Sequence, residues 1–224
     1  QRSNDIFLRI LKFSPRNKNA LKSLLLVNEK LKNFKKSKEI AQALEELNID
    51  VSVEKVYFDT LIILNDPILS YEKRTELLFE IFKENKIIQR IFATFLIQSN
   101  REFFFSNIDM FDCEKLIDIL WYQKKEDIDF DKIKNNQFLN ELYSAKNYIN
   151  SVSTSSDFDL NILILINKYQ KDIKTNLTFE FICNSCKHSS PFYEARCPNC
   201  HSILSLEVKH HLTKAYELSN QSLQ

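Results

Sequence analysis

The sequence predicts a mainly α-helical protein that ends in a small β unit. Three observations predict it. Apolar residues recur at intervals of three and four from residue 4 to about residue 170, the period of a buried helix face. After Thr175 the period falls to two: Leu177, Phe179 and Phe181 alternate with Thr178, Glu180 and Ile182, as in a half-buried strand. That strand runs into Cys183 and Cys186, and a second C-x-x-C pair, Cys197 and Cys200, follows after ten intervening residues.

Taken in order, Ile6, Ile10 and Leu11 mark the first helix, and Pro15 breaks it. Leu21, Leu24, Leu25, Val27 and Leu31 mark the second. A tight turn is expected at Asn33-Phe34, with Asn33 taking the positive φ usually given to glycine. A third helix is expected over Ser37–Leu47, and a fourth over Val53–Leu64, ended by Asp66-Pro67. Ser70 caps a fifth that runs through Leu77, Leu78, Ile81 and Phe82 to Asn85. Further helices are expected at Ile87–Ser99, Glu114–Gln123, Asp131–Asn150 and Asp157–Lys171, the last with Asp157 and Asp159 at its N-terminus. The run Phe103-Phe104-Phe105 reads as buried core in preference to a partner site; three consecutive rings cannot all face inward on one helix, which leaves an interface as the alternative for part of it. Ile203–Val208 reads as a strand leaving the second cysteine pair. His210–Gln224 has Leu212, Ala215, Tyr216 and Ser219 at helical spacing. The expected organisation is a tetratricopeptide-like helical region over 1–174, a metal ribbon over 175–209 and a C-terminal helix or tail over 210–224.

Composition excludes several function classes. The chain has no glycine in 224 residues, so it has no phosphate-cradling P-loop, no G-x-G-x-x-G loop and no G-x-S-x-G elbow. The histidines all lie in the ribbon or tail, and no nucleophile–base pair is recognisable, so no catalytic residue is assigned and an enzyme is not expected. A net charge of +1 argues against a dedicated nucleic-acid binder. No run of 18 apolar residues occurs, so no segment is expected to span a membrane.

The four ribbon cysteines carry the chemistry. A C-x-x-C turn lets two thiolates converge on one ion, and two such turns complete a tetrahedral shell of four sulfurs. Two disulfides in a secreted protein are the alternative. Four thiolates leave no open position, so the expected role is structural. One zinc or iron ion would be held by Cys183, Cys186, Cys197 and Cys200; the residue pattern does not choose between the metals. Lys187, His188, Arg196 and His201 stand beside the pairs and could offset the thiolate charge; His188 and His201 read as surface residues of the knuckles in preference to spare ligands. Cys113, between Asp112 and Glu114, is expected to be a packing residue. Paired metal-site cysteines also imply a reducing, cytosolic compartment.

Asn17–Leu47 fits one tetratricopeptide unit, a pair of antiparallel helices with a period of 34 residues, and Val53–Asn85 fits it loosely; a generic α-helical bundle is the alternative. Leu21, Leu24 and Leu25 match the large–large–small sites of its first helix. Phe34 matches the aromatic before the second helix, and Ser37 the small residue that follows; Asn28 and Leu44 depart from the usual Tyr and Ala. A helical array of this kind followed by a C-x2-C-x10-C-x2-C ribbon resembles the LapB family of bacterial lipopolysaccharide assembly proteins. The resemblance rests on Phe13–Leu24 and on Phe181–His201, and departs where Lys187 and His201 follow each knuckle in place of the family's glycine. It implies a tetratricopeptide-like array packed on a rubredoxin-like metal domain, and a scaffold or adaptor that brings a client to the membrane protease FtsH. It also implies an N-terminal membrane helix. The first 38 residues hold eleven Lys or Arg, and only Asp5 and Glu29 as acids. That excess is what the cytoplasmic flank of such an anchor, absent from this chain, would show; a solvated basic face on a helix pair, which needs no membrane, accounts for it equally. The expectation is therefore a membrane-associated adaptor at the cytoplasmic face of the bacterial inner membrane, with protein partners and no nucleic acid. Rubredoxin-like electron transfer and a nucleic-acid-binding zinc ribbon are the alternatives. Lys30–Lys38 reads first as a solvated helix end, with docking of an acidic partner or anionic lipid as the alternative.

Overall fold

The computed structural model describes residues 2–170 and 175–214. The chain is mainly helical, with a three-stranded antiparallel sheet near its C-terminus. Its contacts divide it into two compact units, Gln1–Phe95 and Leu96–Gln224. The division does not follow the change from helix to strand, since the sheet shares its unit with the later helices.

In the first unit, α1 (Arg2–Phe13), α2 (Lys18–Lys30), α3 (Phe34–Glu45), α4 (Ser52–Asn65) and α5 (Tyr71–Glu84) each pack on the next helix in sequence. A single 3-10 turn, Lys86–Ile88, leads into α6 (Gln89–Ser99), within which the division between the units falls. Asn17 caps α2 by accepting from Ala20 N at 3.0 Å, and Ser70 caps α5 by accepting from Lys73 N at 3.2 Å. The α2–α3 contact is close because the residues there are small: Ser37 and Ala41 are fully buried, and Ala20 nearly so. Leu21, Leu24, Leu25 and Leu44 fill the space around them, and Phe58, Leu78, Phe82 and Phe92 form the deepest layer. The Phe82 and Phe92 rings meet at 5.4 Å.

The turn between α2 and α3 differs from expectation. Asn33 has φ −84 and precedes α3, and the positive φ falls on Lys32 at 59°. The left-handed residue is the one after the C-cap Leu31, where Lys32 N bonds back to Glu29 O and Asn33 N to Asn28 O. Asparagine does take that conformation at Asn48 (φ 59) and Asn147 (φ 58), each just past a helix end.

The second unit holds α7 (Arg101–Ser106), α8 (Ile117–Trp121), α9 (Phe130–Ile133), α10 (Gln137–Ala145) and α11 (Phe158–Tyr169). Two expected helices are shorter here. Asp131–Asn150 is split into α9 and α10, because Asn136 is extended (φ −90, ψ 108) and its side chain caps α10 by accepting from Leu139 N at 3.1 Å. Glu114–Gln123 is a 3-10 turn over Glu114–Leu116 followed by α8. Past its end, Lys146 Nζ donates to Trp121 O and, at 2.9 Å, to Gln123 O, meeting carbonyls that a longer helix would have used. The phenylalanine run forms α7, with Phe104 and Phe105 buried and Phe103 half-buried. Asp157 caps α11 by accepting from Leu160 N at 2.9 Å.

The sheet has the order β2-β1-β3, with β1 (Thr175–Cys183) between β2 (Ser189–Ser190) and β3 (Leu206–Lys214). The β1–β3 ladder runs from Thr175↔Lys214 to Cys183↔Leu206. The expected alternation holds in β1, where Leu177, Phe181 and Cys183 are buried. The expected strand Ile203–Val208 starts later and runs further. Residues 203–205 are held by the second cysteine turn, and His210–Lys214 are strand, not helix. The first half of β1 needs a partner for its backbone groups, and these residues supply it. Ala215, Tyr216 and Ser219 lie outside the described residues. The sheet is joined to the helices of its own unit by polar and ring contacts. Trp121 Nε1 donates to Asn176 Oδ1 at 2.9 Å, the Tyr122 and Phe179 rings meet edge-on at 5.7 Å, and His210 Nε2 lies 3.0 Å from Asp157 Oδ2. No helix among the described residues is long and apolar enough to cross a membrane.

Candidate metal centre

Each cysteine pair sits in a turn with the same hydrogen bonds. In the first, Lys187 N donates to Cys183 O at 2.8 Å and Cys183 N to His188 O at 2.9 Å. In the second, His201 N donates to Cys197 O at 2.9 Å and Cys197 N to Ser202 O at 2.9 Å. The two turns are thus copies of one local fold, and each brings its two sulfurs to the same cluster. Closing the turn requires positive φ right after the second cysteine, and Lys187 (φ 61) and His201 (φ 62) adopt it without glycine. The turns are bound to each other through Asn184 N to Ser205 O at 2.8 Å and, beyond the second turn, Leu204 N (φ 49) donates to Ala195 O at 2.6 Å.

The four sulfurs lie within 4.8 Å of one another. Cys183 Sγ is 3.6 Å from Cys200 Sγ, and Cys186 Sγ is 3.7 Å from Cys197 Sγ. A tetrahedral site with metal–sulfur bonds of about 2.3 Å has sulfur–sulfur edges of about 3.8 Å. The spacing therefore fits one ion, and the cysteines are free thiols, not two disulfides. Cys183 and Cys197 are fully buried with Phe181 and Leu206, while Cys200 is exposed.

The surrounding groups polarise the thiols unequally. At Cys183 burial opposes ionisation, but the Ser205 hydroxyl at 3.3 Å and the Cys186 and Ser185 amides outweigh it and bring the thiol down to about 5. Burial pushes Cys197 up to about 11. The Ser202 hydroxyl, 3.2 Å from Cys200 Sγ, and the Ser202 amide lower Cys200. Asn199 Nδ2 adds a donor to Cys186 Sγ at 3.5 Å. Four thiols this close cannot all ionise on their own, and a bound cation removes that conflict. Once all four are thiolates the shell is closed, so the ion would supply folding energy to the ribbon and no open coordination position.

His188 and His201 lie on the surface of the knuckles, as expected, and neither joins the sulfur cluster. Arg196 Nη1 donates to the His201 carbonyl and so ties the second turn together, while Lys187, His188 and His201 are exposed. The donors near the sulfurs are Ser202, Ser205 and Asn199, which carry no charge. Sequence reasoning missed them, although small polar residues close to a ligand in sequence are the available signal. Cys113 lies elsewhere, buried near Phe111 O (3.8 Å) and Ile108 O (4.0 Å), and burial with Asp112 and Asp109 pushes its thiol up to about 12. It is a packing group in an apolar setting.

No protein-family model matches this chain, and no curated protein matches it in sequence.

Proposed function

We propose that this chain is a scaffold or adaptor that binds protein partners through its N-terminal helices, with a metal ion held by four cysteines that folds the C-terminal ribbon. The observation that carries this reading is the consecutive pairing of α1 to α5, with Ser37 and Ala41 buried where α2 meets α3. Helix pairs stacked in chain order leave continuous grooves suited to peptides. Asn17–Leu47 is then a tetratricopeptide-like unit, and the ribbon is rubredoxin-like. On the resemblance to the LapB family, the setting is the cytoplasmic face of a bacterial inner membrane and the task is regulation of an envelope-biogenesis client with a membrane protease. The ion is zinc or iron.

The test is affinity capture of the full chain from membranes, with partners identified by mass, repeated with two sets of variants. Changes on exposed residues of α2–α4 should release the partner, and changes at exposed ribbon residues such as Lys187 should not. Release by the ribbon changes alone would overturn the reading. One observation favours a second reading, electron transfer through an iron centre: Cys200 is exposed, so one ligand reaches solvent. Native iron with a reversible redox change in its visible absorption would select it.

A further inference from the structure

We infer that the groove between the start of α3 and the end of α4 is the docking site for an acidic peptide segment that carries large apolar side chains. The inference rests on the scaffold reading and names its partner class. The groove has a volume of about 500 Å³ and is walled by Lys32, Lys35 and Lys36 on one side and Ile62, Asn65 and Ile68 on the other. Phe34 and Pro67 add apolar surface. That size falls in the range of roughly 300–1,000 Å³ typical of ligand clefts.

Two properties define the occupant. The first is charge. Lys32, Lys35 and Lys36 are exposed, and no carboxylate among the described residues pairs with any of them. The one acid in the lining is Asp66, whose carboxylate accepts from Ile68 N at 2.9 Å and is used within its own loop. The groove therefore presents three cations and asks for carboxylates. The second is apolar surface. Ile68 is 90% exposed at the mouth, and Tyr71 just beyond it is 60% exposed. An isoleucine held almost wholly in water beside a basic cleft gains from a partner side chain laid against it. A free anion would use the lysines and leave Ile68 wet. An anionic membrane would meet a concave, not a flat, basic surface. A peptide with both acidic and apolar side chains satisfies both halves of the groove.

The experiment uses the full chain, its metal in place, and a fluorescein-labelled peptide in which pairs of glutamates alternate with single leucines. Fluorescence anisotropy should show saturable binding that weakens as sodium chloride is raised. Lys35→Glu with Lys36→Glu should weaken it about tenfold or more. Ile68→Ser should weaken it severalfold. All three positions lie on the surface, so unchanged circular dichroism confirms that the fold is kept. The same peptide with glutamine for glutamate should not bind. Equal binding by the charge-reversed chain, or by the glutamine peptide, would overturn the inference. So would binding to phosphatidylglycerol vesicles without binding to the peptide. If captured partners persist in the charge-reversed chain, the groove assignment fails and the scaffold reading stands; if no partner is captured by any form, the scaffold reading fails first.

Discussion

Replacing Lys187 and His201 with glycine should tighten metal retention. Both residues sit at φ near 60° directly after a cysteine pair, and each donates its amide to the first cysteine of that pair. A side chain in that conformation costs about 1–2 kcal/mol. Glycine removes the cost but loses about 0.5–1 kcal/mol through greater freedom of the unfolded chain. The net gain is about 0.5–1 kcal/mol per turn, or about 1–2 kcal/mol for the double variant, if the turns are independent. Little else is lost. Both side chains are exposed, and Arg196 bonds the backbone carbonyl of His201, which glycine keeps. If the ribbon folds around an ion held by the four cysteines, this gain adds to apparent metal affinity, a factor of roughly 5–30. Competition against a graded series of chelators, read as metal retained per chain, measures it. Lys187→Ala with His201→Ala keeps the strained backbone and should move retention little. If the glycine variant loses metal at a lower chelator concentration than the parent, or the alanine variant matches its gain, the strain argument is refuted.

Protein purified without added metal should hold close to one zinc or iron per chain by elemental analysis, and Cys183→Ser or Cys197→Ser should lose it while most far-ultraviolet helical signal remains. Metal uptake should release protons, since Cys197, raised to about 11 by burial, is protonated at neutral pH until the ion binds; affinity should therefore rise with pH, and pH-independent binding would contradict the assignment. Cys113→Ala should leave metal content unchanged. The Cys113 thiol is raised to about 12 in the folded state, so the chain should lose stability as pH rises from about 9 toward 12, by up to about 1.4 kcal/mol per pH unit, and the variant should lose less. Trp121→Phe removes the hydrogen bond to Asn176 and should cost about 1 kcal/mol in chemical denaturation of the second unit.

Where the signal was local, the sequence was readable. Periodicity placed the early helices to within a few residues, Ser70 and Asp157 cap as their chemistry dictates, and the cysteine spacing located the sulfur cluster. The misread positions are set by hydrogen bonds, local or distant, that an apolar period does not encode. The helical spacing of His210–Lys214 is outweighed by the need of β1 for a partner strand. Asn136 breaks a helical period because its side chain prefers to cap. The positive φ at Lys32, Lys187, His201 and Leu204 could not be assigned by residue type, since no glycine or asparagine stands at any of them. With no glycine to mark such positions, the hydrogen-bonding frame chooses them.

The order of contacts along the chain also bears on synthesis. In the first unit the most extensive contacts join helices adjacent in sequence, so each helix can dock as soon as the next emerges from the ribosome. The sheet is the opposite case: Thr175 must wait for Lys214, and the sulfur cluster is not complete until both cysteine turns are made. If the four cysteines hold an ion, shortage of metal during translation would leave the helices formed and the ribbon open. Such a chain would still display the α3–α4 groove, whose walls lie wholly in the first unit.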